Sequence, residues 1–138
     1  MIKRLISSNA ASAVFLFVVT ALIYLKTMCP TVGFTDSGEL SSVLATLGIG
    51  HPTGYPFFAV LGRLMVSIPI PARVILRVNI YNALLVSLAV SIFYLTTRNL
   101  FSFMQGKKAI DRRVEQSIAL CAALVYGFAS TMWSQSTA

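Results

Sequence analysis

Long uncharged apolar runs alternate with polar segments along this chain, and three of the runs are long enough to cross a membrane. They cover residues 5–25, 78–97 and 116–138. At about 1.5 Å of rise per residue, each run would form a helix that spans a hydrocarbon core of roughly 30 Å. The pattern predicts an all-α membrane protein with three transmembrane helices, at about residues 5–25, 78–97 and 116–136.

Residues 26–77, between the first two predicted spans, are too many for a plain connection and carry helical patterns of their own. Apolar residues at i, i+3, i+4 and i+7 predict one short helix. Its stripe consists of Leu40, Val43, Leu44 and Leu47. Gly48 follows the stripe directly, which is typical of the position just past a helix C-terminus.

A second apolar stretch in the same region, residues 57–68, is too short to cross. It contains Arg63 and ends before Pro69 and Pro71. At a length of about 18 Å it favours a helix that lies in the membrane interface or re-enters the membrane. The alternative is that it does span, in which case the basic loop after the next span would face outward, against the charge rule.

The composition excludes a soluble domain, and the distribution of Lys and Arg predicts the orientation of the chain in the membrane. Mean hydropathy is +0.80, and charged residues make up 11% of the chain. Of 11 Lys and Arg residues, seven lie at the N-terminus or in residues 98–115, and four lie in residues 26–77. By the positive-inside rule, residues 98–115 form a cytoplasmic loop and residues 26–77 an extracytoplasmic one. We expect a bacterial inner membrane protein with a cytoplasmic N-terminus.

The net charge of +7 does not require a nucleic acid partner. Anionic membrane lipid beside the basic loop accounts for it. The first apolar run follows Lys3 and Arg4, as a signal peptide would, but it is longer than a signal peptide's apolar region and no cleavage-like site follows it. We interpret it as a retained membrane anchor.

The least hydrophobic stretch of the chain, residues 35–56, concentrates its ionisable groups. Asp36 and Glu39 stand at N-cap and N3 spacing ahead of the Leu40 stripe, and a capping box is one interpretation of the pair. On a helical wheel, however, Glu39 falls at the border of that stripe, where charge is costly and a functional use is favoured. The same stretch holds His51, the only histidine of the chain.

Four ordered blocks carry a family resemblance. They are PTVGFTDSGEL at 30–40, HPTGYP at 51–56, RVN at 77–79 and WSQ at 133–135. Together they resemble the N-terminal pattern of the protein O-mannosyltransferase-like membrane family, long labelled a domain of unknown function and similar to the GT-C glycosyltransferases. Thr53 stands where the family usually has a second proline, and the chain stops before the Glu-Val-Tyr-like stretch that the family carries after Trp-Ser-Gln.

The resemblance implies a reaction and a base. Residues 1–138 would form the N-terminal portion of a GT-C-like domain that moves a sugar, such as mannose, from a polyprenyl-phosphate donor to an acceptor hydroxyl on a protein, lipid or glycan. Asp36 would deprotonate that hydroxyl on the extracytoplasmic side, with inversion at the anomeric carbon. With three spans alone there is too little protein to enclose a lipid-linked substrate, so we expect the isolated chain to be inactive.

The resemblance also implies substrate-binding residues. Glu39 would orient the acceptor or hold Asp36, while His51 and Tyr55 would shape the loop over the sugar. The plainer alternatives are a turn residue for His51 and an interfacial aromatic for Tyr55.

Two arginines of the same outer region are candidates for binding the donor phosphate. Arg63 and Arg77 would offset the charge that develops on the phosphate. The plainer alternative for both is that they are snorkelling cations at the ends of helices.

We expect no cofactor, although Asp36, Glu39 and His51 could together hold a divalent ion. Two other functions stay open. In a secondary transporter the Asp36–Glu39 pair would couple ion movement, and protection of positions 33–56 from aqueous thiol reagents would favour it. In a non-catalytic assembly subunit only the apolar stripes matter, so changes at Asp36 would be tolerated.

Overall fold

A computed structural model describes residues 2–33, 36–51, 55–104 and 111–137, with only the backbone for residues 2–8. The described part of the chain is all helical, as predicted. Six helices follow one another: α1 Ile2–Thr27, α2 Ser37–Thr46, α3 Pro56–Ser67, α4 Val74–Met104, α5 Arg112–Phe128 and α6 Ser130–Thr137. Parts of two family blocks, Phe34, Thr35 and residues 52–54, lie outside the described residues, as do Lys107 and Lys108.

Helix α4 is the centre of the fold, because every other helix packs against it. Its first half contacts α2 and α3 through a core of buried apolar side chains: Val43, Leu44, Ala59, Val66, Val78 and Tyr81. Its second half contacts α1 and α5 through another such core: Ala13, Leu16, Val90, Tyr94, Ala119 and Ala123. The region between α1 and α4, which contains α2 and α3, is therefore attached to the bundle at the end where α4 begins.

Helices α1 and α5 run opposite to α4. The Ser91 hydroxyl donates to the Ala13 carbonyl at 2.9 Å, which places the start of α1 beside the second half of α4. At the other end, the Asn79 amide donates to the Cys29 carbonyl, just after α1, at 2.8 Å. This antiparallel order is what three successive crossings require.

Within the part of the chain that the structure describes, two helices are long and apolar enough to cross a membrane, Asn9–Thr27 and Val74–Met104. The third predicted span is not straight. It consists of α5 and α6, which meet at Ala129 with a bend of 59° and qualify as one span only when taken together. The all-α membrane fold with two to three spans is confirmed.

The bend after α5 is held by contacts with α1. The Tyr24 hydroxyl donates to the carbonyl of Gly127, which lies in the last turn of α5. A Cβ at Gly127 would lie 2.8 Å from Cγ2 of Val90, so only glycine allows α4 and α5 to approach this closely. The Tyr24 ring also meets Trp133 of α6 edge to face, with centroids 5.8 Å apart. Helix α6 is thereby turned towards the end of α1.

The two short helices predicted in residues 26–77 are both present, with differences at their ends. Val43 and Leu44 of the predicted stripe are buried, whereas Leu47 is 57% exposed. The residue in the left-handed conformation after α2 is Leu47, with φ of 55°, and not Gly48. Helix α3 begins at Pro56, a favoured residue for the first helical turn because proline needs no backbone donor there.

Arg98, which the sequence places in the basic cytoplasmic loop, lies inside α4. Its guanidinium donates to the Glu115 carboxylate of α5 at 2.8 Å, and both side chains are buried. A buried charge needs a partner, so this pair fixes the register of α4 against α5.

Candidate functional site

A cavity of about 1170 Å³ opens at the end of the bundle where α1 ends and α4 begins. Residues from all four sequence blocks line it, although the blocks lie up to a hundred positions apart in the chain. The lining residues from these blocks are Thr31, Val32, Gly33, Asp36, Ser37, Leu40, His51, Tyr55, Val78, Asn79, Trp133, Ser134 and Gln135. The fold thus brings together in one cavity what the sequence carries in four separate blocks.

Asp36, Glu39 and His51 form one cluster at this cavity. Glu39 Oε1 accepts from the backbone N–H of His51 at 2.8 Å and lies 3.1 Å from its Nδ1. Since a carboxylate oxygen can only accept, Nδ1 carries the proton in this contact and Nε2 is left facing Asp36. The distance from Nε2 to Asp36 Oδ2 is 4.0 Å, which is too long for a hydrogen bond.

The two carboxylates of the cluster differ in their environment. Hydrogen bonds from the His51 backbone and then from its ring hold the pKa of Glu39 below its usual value, because both stabilise the charged form. Asp36 has a half-exposed side chain that makes no hydrogen bond to the described residues. Of the two, Asp36 is the carboxylate left free to act on a bound molecule.

The capping box expected from the spacing of Asp36 and Glu39 does not form. Asp36 does occupy the N-cap position of α2, but its side chain caps no backbone N–H. Glu39 reaches forward to His51 and not back to the N-cap residue. That interpretation was wrong, and the reason is that His51 offers Glu39 two donors instead of one.

Tyr55 joins the cluster to an apolar groove. Its ring meets His51 edge to face, with centroids 5.7 Å apart, and its backbone has φ of 39°, a left-handed conformation that is costly for a non-glycine residue. On its other side lies a second cavity of about 420 Å³ with an apolar lining: Tyr55, Pro56, Phe57, Phe58, Leu61, Tyr81 and Leu85. The two cavities share Tyr55, Phe58 and Leu85.

The two arginines predicted to bind substrate do not line the cavity. Arg63 of α3 donates to the Ala45 carbonyl near the end of α2. Arg77 donates to carbonyls at the end of α3 and in the following turn: Val66, Ile68, Ile70 and Ala72. In this structure both guanidiniums hold the backbone together, neither contacts Asp36, and their predicted substrate-binding role stays a prediction.

Two residues of the cavity wall, Asn79 and Trp133, lie in the family blocks, but the blocks alone assign a role to neither. Asn79 is fully buried within α4 and lines the cavity. Trp133 is held on α6 between Tyr24 and Phe128, with centroid distances of 5.8 and 5.7 Å. The signal for Asn79 was its amide within an apolar run, since polar side chains in such runs are expensive and often functional.

The Asp36–Glu39–His51 cluster also has the donor types of a cation site. One ligand atom from each residue lies within 4.8 Å of the others. All three side chains are at least a third exposed, and Glu39 and His51 already satisfy each other. If an ion is bound, these are the residues that would hold it.

Comparison with known proteins gives the family. The family model described as "Protein O-mannosyl-transferase TMEM260 N-terminal domain" matches residues 36–138. Two similar relatives are the protein O-mannosyl-transferase tmem260 of Dictyostelium discoideum, 36% identical over 97 residues, and TMEM260 of Mus musculus, 29% identical over 132 residues. The first alignment covers 68% of this chain and the second 96%.

The chain spans only 12% and 17% of the length of these two relatives. Both come from eukaryotes, so a bacterial membrane stays a prediction. No solved structure matches the chain. Because the family model covers most of the chain, the chain belongs to the family of the protein O-mannosyl-transferase TMEM260 N-terminal domain.

Proposed function

We propose that this chain forms the acceptor-activating part of a membrane O-mannosyltransferase. The donor is a polyprenyl phosphate that carries mannose, and the acceptor is a hydroxyl group. The cavity opens on the extracytoplasmic side, and Asp36 is the general base. The observation that carries the proposal is the convergence of four separate sequence blocks on one cavity that has a free carboxylate at its edge.

The chemistry needs one base and one leaving group. Asp36 accepts the proton of the acceptor hydroxyl while the hydroxyl oxygen forms a bond to the anomeric carbon. The bond from that carbon to the phosphate oxygen breaks, and its electron pair leaves with the lipid phosphate. A phosphate leaves without a proton, so no second carboxylate is needed as an acid. Attack opposite the leaving group inverts the configuration at the anomeric carbon.

The environment of the two carboxylates supports Asp36 over Glu39 as the base. Glu39 is engaged by two donors of His51, and these lower its pKa and weaken it as a proton acceptor. Asp36 has no such bonds and lines the cavity. Glu39 then acts indirectly, since its two contacts fix His51 at the edge of the site.

The apolar surface beside the main cavity supports a lipid-linked donor. The apolar groove beside Tyr55 adjoins the main cavity, and the outer face of α3 exposes apolar side chains: Phe57, Val60 and Leu64. A prenyl chain could follow such a surface from the bilayer. The phosphate would then enter the cavity from the membrane side.

The test is an Asp36→Asn substitution in the full-length protein, assayed by transfer of radiolabelled mannose from polyprenyl-phosphate mannose. Asparagine keeps the size and the N-cap preference of aspartate, so α2 is undisturbed. Loss of a general base typically costs about 10²- to 10⁴-fold in rate. Asp111→Asn is the matched control, because Asp111 also precedes a helix but caps it and lies at the other end of the bundle.

We expect Asp36→Asn to abolish transfer with normal membrane insertion, and Asp111→Asn to retain it. Transfer by Asp36→Asn within threefold of the wild type would reject the assignment of the base. If both variants lost activity together with folding, the same assay on Asp36→Glu, which keeps a carboxylate, would separate chemistry from folding.

A further inference from the structure

Asn79, a residue of the cavity wall, has a buried side-chain oxygen without a hydrogen-bond partner among the described residues. The residue is fully buried, and it lies in the first half of α4. Its Nδ2 donates to the Cys29 carbonyl at 2.8 Å, whereas its Oδ1 has no hydrogen-bond partner in the described chain. A buried acceptor without a donor costs about 1–3 kcal/mol, so an unsatisfied one in a cavity wall points to a ligand.

The orientation of the Asn79 amide is fixed by its neighbours. A carbonyl oxygen can bind only a donor, so the amide nitrogen must face Cys29 and the oxygen must face away from it. Cys29 is itself held, because its backbone N–H donates to the Thr137 carbonyl of α6 at 2.7 Å. The end of α1, α4 and α6 therefore meet at this point, and the free oxygen is held rigidly.

The wall around Asn79 is uncharged and mixes polar with apolar side chains. Helix α4 contributes two amides and three aliphatic side chains to it, and α6 contributes hydroxyls, an amide and an indole: Val78, Asn79, Asn82, Leu85, Val86, Trp133, Ser134, Gln135 and Thr137. Among the described lining residues there is no lysine or arginine. The amides and hydroxyls of this wall suit the hydroxyl groups of a sugar ring.

We propose that the α4–α6 wall is the sugar subsite, in which Asn79 Oδ1 accepts a hydrogen bond from one hydroxyl of the transferred hexose. The inference rests on the proposed function, since it names the part of that site which recognises the sugar. Trp133 offers the apolar ring face that hexoses commonly contact, and Asp36 lines the same cavity. Asn79 is accordingly a residue that determines donor specificity.

The test compares deoxy-sugar donors in the full-length protein. The probes are polyprenyl-phosphate mannose and its 2-, 3-, 4- and 6-deoxy analogues, and the readout is kcat/KM for each. The wild type should use one analogue about tenfold less well than the others, because that analogue lacks the hydroxyl bound by Asn79. In Asn79→Leu, kcat/KM for polyprenyl-phosphate mannose should fall about tenfold, whereas kcat/KM for that same analogue should stay at its wild-type value.

A matched control is Ser87→Ala. Ser87 is also buried in α4, but its hydroxyl donates to the Ala83 carbonyl of its own helix and it does not line the cavity. This variant should keep the wild-type pattern across all five donors.

Three results would overturn the subsite. One is a wild type that uses all the deoxy analogues equally well, which needs no variant and no assumption about folding. Another is an Asn79→Leu enzyme that loses activity on every donor by the same factor, as a purely structural role predicts. The third is a rise in KM for the acceptor alone. Full transfer by Asp36→Asn would instead refute the proposed function, so the two failures are distinguishable.

Discussion

Replacing Arg77 with methionine tests whether this arginine holds the turn between α3 and α4 or binds the donor phosphate. Its guanidinium donates four hydrogen bonds of 2.6–3.2 Å to backbone carbonyls. Methionine keeps much of the apolar stem and removes every donor. If the bonds are structural, the turn between α3 and α4 should open more easily in Arg77→Met. The loss of the positive charge should not by itself change donor binding.

The size of the effect follows from the burial of these bonds. The two to Val66 and Ala72 are partly buried, and the two to Ile68 and Ile70 are exposed. A hydrogen bond contributes about 1 kcal/mol net, and we count chiefly the two partly buried ones, giving about 2 kcal/mol. At 1.36 kcal/mol per tenfold, local opening should become roughly 30-fold more frequent.

The assay is amide hydrogen exchange, read by mass spectrometry on peptides that cover residues 66–73 of the full-length protein. Arg73→Met is the control, because Arg73 is exposed and its side chain makes no hydrogen bond to the described residues. We expect fast exchange in Arg77→Met and wild-type exchange in Arg73→Met. Unchanged exchange in Arg77→Met together with a raised KM for the donor would refute the structural role and favour phosphate binding.

Three further predictions concern the ionisable groups. Arg98→Met or Glu115→Leu alone should destabilise the full-length protein by about 3–5 kcal/mol, and the double variant by less, because only the single variants leave a buried charge unpaired; equal Tm losses in all three would contradict the pair. The lowered pKa of Glu39 means that its contribution to stability is complete above its ordinary value of 4.5 and is lost as pH falls through the lower folded value. As the pH is lowered from about 6 to about 3, the Tm of Glu39→Gln should therefore fall less steeply than the Tm of the wild type. Identical slopes of Tm against pH would argue against the Glu39–His51 contact. Transfer should persist in EDTA, since Asp36 acts without a metal in this account; loss that Mn²⁺ or Mg²⁺ restores would instead assign the cluster to an ion.

The periodic features of the chain could be predicted well. The first two spans and the two short helices follow from apolar runs and from spacing, which are local properties. Val43 and Leu44 are buried as the stripe requires, and Pro56 begins α3. Such features need no knowledge of the partner helices.

The bend at Ala129 could not be predicted, because nothing local marks it. Residues 116–138 are uniformly uncharged and contain no proline. What ends α5 is a tertiary bond, from Tyr24 to the Gly127 carbonyl, between positions 103 residues apart. The bend matters for the site, since it carries Trp133 to the cavity.

The candidate site was predicted only in part. The grouping of Asp36, Glu39 and His51 followed from the family blocks, but their roles depend on partners that spacing does not give. Glu39 prefers two donors twelve positions away to the cap beside it. Arg77 is adjacent to the cavity-lining Val78 in sequence, yet helical geometry turns it towards α3.

A structure of the full-length Asp36→Asn protein, trapped with polyprenyl-phosphate mannose, would show whether position 36 faces the sugar that is transferred. We expect the sugar in the cavity between position 36 and the α6 residues Trp133, Ser134 and Gln135, on the extracytoplasmic side, with the prenyl chain leading to the bilayer. A sugar bound elsewhere, or position 36 on the cytoplasmic face, would contradict this expectation.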